Sequence, residues 1–95
     1  MNATQRSDGT FVDVQTDTRT VSFKRPTLEQ FQAFQGLVCS GQTPKGCLEF
    51  ALACACNSES AHELFSEWPG ATMTVAGALT EMVTPRIQQK KASSR

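Results

Sequence analysis

The sequence has little of what chemistry needs. It contains one histidine, His62, and no Asp or Cys stands at helical spacing to complete a triad or a ligand set around it. Cations are scarce in the middle: from Pro26 to Thr84 the only Lys or Arg is Lys45, against Glu29, Glu49, Glu59, Glu63, Glu67 and Glu81. An acidic body followed by a basic end, with Arg86, Lys90, Lys91 and Arg95, is a poor nucleic-acid binder over most of its surface. No apolar run reaches the length of a membrane span. The opening MNATQRSDG lacks the apolar stretch of a signal peptide, so the expected location is the cytoplasm, with no membrane partner.

Other absences concern motifs. Gly36, Gly41 and Gly46 recur every five residues without the Lys and Ser or Thr of a phosphate loop. Cys54 and Cys56 are one residue apart, which is neither a redox pair nor a zinc knuckle. The cysteines Cys39, Cys47, Cys54 and Cys56 are therefore expected to be reduced and to bind no metal, and no cofactor is expected. Glu59, Glu63 and Glu67 recur every four residues, as a solvated helix face does. A catalytic carboxylate needs burial to raise its pKa, and an open face does not provide that. The expectation is a protein that is not an enzyme.

What is present is a small packed domain. Ninety-five residues fit one domain. The most apolar stretch, TPKGCLEFALACAC from Thr43 to Cys56, predicts a central helix over 44–56, with Thr43 as its N-cap and Pro44 at the first helical position. Its stripe of Cys47, Ala51, Cys54 and Ala55 is small, so neighbours can approach closely on more than one side. Before it, Val12 and Val14 alternate with Asp13 and Gln15, and Val21 and Phe23 lie on one face of a second strand. Thr16, Asp17 and Thr18 supply the turn, giving a hairpin over 9–24. Pro26 ends the hairpin, and Thr27 with Gln30 forms a capping box for a helix over 28–38 carrying Leu28, Phe31, Phe34, Leu37 and Val38. Further helices are expected over 59–68, closed by Pro69-Gly70, and over 73–83, closed by Pro85.

The expected fold is α+β: an N-terminal two-stranded β-hairpin packed on a bundle of four short helices. Residues 9–84 form a single domain, 1–8 a flexible N-terminus and 85–95 a basic flexible tail. The expected core includes Phe31, Phe34, Leu48, Leu52, Leu64, Phe65 and Leu79. So short a chain leaves some apolar side chains outside. Trp68, Val75 and Met82 are the candidates for a partner surface, with the hairpin edge of Thr20, Val21, Ser22 and Phe23 as a second site. Open strand edges also permit a homo-oligomer.

The order of these pieces resembles a known family. A hairpin ending in Phe23-Lys24-Arg25-Pro26-Thr27 leads to a helix with Phe31 and Phe34. A helix with Leu48, Leu52 and Cys54 follows, then an acidic helix closed by Trp68-Pro69-Gly70, and a last helix with Gly77 and Leu79. The pattern, over roughly 9–83, is similar to the tail assembly chaperones of long-tailed bacteriophages. Two features depart from it: Gln30, Gln32 and Gln35 stand where the family often has charge, and the segment from Cys39 to Cys56 is richer in cysteine. The resemblance implies a non-enzymatic factor of the host cytoplasm that coats the tape measure protein, helps recruit tail tube subunits and is absent from the mature virion. It also implies a longer form made by ribosomal frameshifting, for which the codons of Gln89-Lys90-Lys91 are the candidate site. The alternatives are a small phage protein that inhibits or regulates a host protein through its acidic face, and a minor structural protein of the virion.

Overall fold

The computed structural model describes residues 2–84. Three strands come first, β1 (Asn2–Gln5), β2 (Phe11–Gln15) and β3 (Thr20–Lys24). Four helices follow, α1 (Leu28–Cys39), α2 (Thr43–Cys54), α3 (Ser58–Glu67) and α4 (Ala71–Met82). The fold is α+β, but its sheet is three-stranded and antiparallel in the order β1-β2-β3. The expected flexible N-terminus is thus corrected over 2–5. Asn2 pairs with Gln15 and Gln5 with Val12. The signal for this strand was Asp8-Gly9, a hairpin turn pair. Asp8 Oδ1 accepts hydrogen bonds from the Thr10 N–H at 3.1 Å and the Thr10 hydroxyl at 2.7 Å. Arg6 then joins β1 to β2 by donating to both Asp13 carboxylate oxygens, at 2.7 and 2.9 Å. That bond, with a second from the Ser22 hydroxyl, holds the Asp13 carboxyl below its ordinary pKa.

Period-two alternation decides which side of the sheet is dry. Val12, Val14, Val21 and Phe23 are buried against the helices, while Asp13 and Ser22 face outward and bond each other at 2.6 Å. At the turn into β3, Thr16 accepts from the Arg19 N–H at 3.2 Å, as its side-chain chemistry predicts. The outer edge of β3 is partly covered. Phe23 bridges to Ala55, and the Cys56 N–H donates to the Ser22 carbonyl at 3.0 Å.

Helix α2 is central, packing on α1, α3, α4 and β3. Its buried positions Cys47, Phe50, Ala51 and Cys54 follow the i, i+3, i+4, i+7 spacing. Thr43 is not its cap. Gln42 holds that position, because its carbonyl already accepts from the Gly46 N–H at 2.8 Å, and its side chain makes no capping bond. That loop closes α1 with a Schellman arrangement: the Gln42 N–H donates to the Leu37 carbonyl at 2.8 Å and the Gly41 N–H to Val38 at 3.0 Å. Gly41 has φ +86°, where a side chain would be strained. Helix α3 is capped by Asn57, whose side chain accepts from the Ser60 N–H at 3.1 Å. It buries Ala61, Leu64 and Phe65, with Phe65 stacked on Phe23 at 6.2 Å. Helix α4 buries Ala71, Val75, Ala76, Leu79 and Met82.

The core differs from expectation at α1 and on the flanks of α2. Leu64, Phe65 and Leu79 are buried, but Phe31, Phe34 and Leu52 are only half-buried and Leu48 is exposed. The reason is placement. The substantial contact of α1 is with α2, so one side of α1 is covered and none of its residues is buried. The expectation for 85–95 lies outside the described residues.

Candidate functional site: the open face of α1

Two interactions lay α1 along α2. The capping box forms as expected, with the Thr27 N–H donating to Gln30 Oε1 at 3.0 Å and the Gln30 N–H to Thr27 Oγ1 at 3.2 Å. Gln30 Nε2 also reaches the Ala53 carbonyl at 3.3 Å, and Cys54 Sγ donates to Gln30 Oε1 at 3.6 Å. One glutamine therefore ties the first turn of α1 to the end of α2. At the other end Gly46 lets the helices approach. A Cβ there would stand 3.1 Å from Leu37 Cβ.

Between these ties, Phe34 stacks on Phe50 with ring centroids 4.5 Å apart and planes 13° apart. Phe31 lies 6.1 Å from Phe50 and 6.2 Å from Phe34. Phe50 is the buried floor, and Phe31 and Phe34 form a half-open wall. Leu28 (71% exposed) and Val38 (37% exposed) extend the wall in both directions. A groove of about 390 Å³ beside Phe31, Phe34 and Val38 is completed by Gln35, Cys39 and Thr43, with no charged residue. A second groove, around Leu28 and Phe31, is bordered by Arg25, Pro26, Thr27 and Val83. The result is an apolar strip along α1 with Gln35 beside it, while the groove between Phe34 and α2 carries Glu29 and Glu49.

The residues expected to form a partner surface do not come together. Val75 and Met82 point into the core, 0% and 5% exposed, because α4 turns its Ala71–Val75–Leu79–Met82 stripe inward. Val21 and Phe23 are also buried, being on the inner side of the sheet. Thr20 is exposed, Ser22 is bonded to Asp13, and the β3 edge is partly covered. Of Trp68, Val75 and Met82, Trp68 alone is exposed, at 48%. Leu48 and Met73 are exposed as well, and Leu48 lines a shallow groove with Pro44, His62, Phe65 and Pro69. The residues of the open α1 face were visible in the sequence as a helical stripe. Periodicity marks such a stripe but not whether a neighbour covers it.

The acidic face is modified too. Arg19 Nη1 meets Glu63 at 2.7 Å and Nη2 meets Glu67 at 3.5 Å, joining the sheet to α3. Cys39 and Cys56 are exposed and Cys47 and Cys54 buried, all as free thiols. Burial pushes the Cys54 thiol up to about 11, with Lys24 opposing the shift. Among the described residues, no three of His, Cys, Asp and Glu are grouped as a metal site requires, and no helix is long and apolar enough to cross a membrane. No protein-family model, curated protein or solved structure matches the chain.

Proposed function

We propose that this chain is a non-enzymatic phage tail assembly chaperone that binds the tape measure protein and helps recruit tail tube subunits. It acts in the host cytoplasm during assembly and is absent from the mature virion. The motif order from Phe23-Lys24-Arg25-Pro26-Thr27 to Trp68-Pro69-Gly70 motivates the reading. The observation that carries it is the uncovered apolar face of α1, with Leu28, Phe31, Phe34 and Val38 in one strip. A strip at helical spacing beside a groove is how one helix receives another, and the partner that the resemblance implies, a tape measure protein, is long and helical. The reading of an acidic face that blocks a host protein is less favoured, because Arg19 engages Glu63 and Glu67.

Co-expression with a tape measure protein of a long-tailed phage is the test. The chain is expected to keep tape measure fragments in solution and to co-purify with them, and mass spectrometry of purified particles is expected to find none of it. Failure to associate, in this or any extended form, would overturn the proposal.

A further inference from the structure

The open face of α1 is not electrostatically uniform. Its Val38 end is lined only by neutral groups. Its Leu28 end is bordered by Arg25, while Glu29 of the same turn lines the separate groove between Phe34 and α2. Among the described residues Arg25 is in no ion pair, whereas Arg6, Arg19 and Lys45 all are. Arg25 makes one long bond, 3.4 Å to the Gly9 carbonyl. Val83 borders the same groove. The positive end of α1's own dipole lies there as well.

From this we infer that the face of α1 receives about three turns of an amphipathic helix from a partner protein, apolar along one stripe and acidic in its last turn, lying antiparallel to α1. The inference rests on the helix-binding reading above and adds the place, polarity and charge of the bound helix. Leu28 to Val38 spans about 15 Å at 1.5 Å per residue, which sets the three turns. The negative end of the bound helix's dipole and its acidic side chains then both meet Arg25. Among the described residues, a second copy of this chain offers no such helix. The last turn of α1 carries no acidic residue, and the apolar stripes of α3 and α4 are buried in the core.

The test uses the full chain and two labelled, lactam-bridged helical peptides of identical composition and the same leucine stripe. One has Glu in the last turn and Lys in the first, and the other the reverse. Fluorescence anisotropy at low salt is expected to show the first binding at least about fivefold tighter. Arg25→Glu should abolish or reverse that preference, and Val38→Glu should weaken both peptides more than about tenfold. Leu28→Glu, at a more exposed position, gives the same reading if Val38→Glu does not fold. Equal affinities, no binding, or a preference surviving Arg25→Glu would overturn the inference. So would peptide binding that strengthens on Ile87→Ser, which would make the chain's own C-terminal segment the occupant, or a dimer dispersed by Val38→Glu, which would make it a second copy. Tape measure capture that survives Val38→Glu and Arg25→Glu would remove this site and leave the chaperone reading intact. Peptide discrimination without tape measure capture would do the opposite.

Discussion

Gly36 and Gly41 show how one residue type takes opposite signs within one helix and its cap. Gly41 holds φ +86° at the end of α1, where an L side chain costs about 1–2 kcal/mol. Gly36 is inside α1, and a methyl group added there would meet nothing within 4 Å, so alanine gains helix propensity of about 1 kcal/mol. Gly41→Ala is expected to speed hydrogen exchange of the α1 amides, and Gly36→Ala to slow it about fivefold. The cysteines divide in a similar way. At pH 8, Cys39 and Cys56 should react promptly with a thiol reagent, and Cys47 and Cys54 only on unfolding. Cys54 adds a pH dependence. Its folded pKa of about 11 lies above the ordinary 9.0, so between those values the unfolded chain has lost a proton that the native chain retains. Stability from this group is complete below pH 9 and declines as pH rises toward 11, and Cys54→Ala should flatten the decline in urea midpoint.

Among the elements, α1 and β1 are the two whose roles depend on what lies beside them. The strand β1 carries no strong propensity in Asn2-Ala3-Thr4-Gln5. It forms because the Asp8-Gly9 turn returns the chain and Arg6 grips Asp13. Helix α1 has a complete apolar stripe and a capping box, yet buries no residue, since its packing is on α2. Few buried contacts mean a low cost of local opening. Native-state hydrogen exchange is therefore expected to find α1 amides opening before those of α2 and α4. Equal protection across the helices would contradict the one-sided packing. A ligand on the open face should raise α1 protection selectively, which links this element's stability to the proposed binding.

For the molecule as a whole, stability resides in the layer between the sheet and α2, α3 and α4. Val12, Val14, Phe23, Leu64, Val75 and Leu79 are sealed there. Leu64→Ala should lower the unfolding free energy by about 2–5 kcal/mol, whereas Leu48→Ala, at an exposed position, should change it by less than about 1 kcal/mol. Urea titration of the two variants measures the contrast. Similar losses would mean that Leu48 is part of the core, as its spacing from Leu52 in the sequence implies.

The sequence alone determined the α+β class, the strand at Thr20–Lys24, the capping box of Thr27 and Gln30, and the four helices to within about two residues at their ends. These are local matters, decided by side-chain alternation, caps and prolines within a few residues of each other. Tertiary structure alone decided which stripe found cover. Val75 and Met82 have the same period as Phe31 and Phe34, but α4 lies under the sheet and α1 on the outside of α2. Tertiary structure also decided that Arg19 would reach Glu63 and Glu67, and that Cys56 would meet the edge of β3. Such pairings join residues far apart in the chain. Periodicity reports the angle of a side chain around its own helix and carries nothing about the element that will stand opposite it.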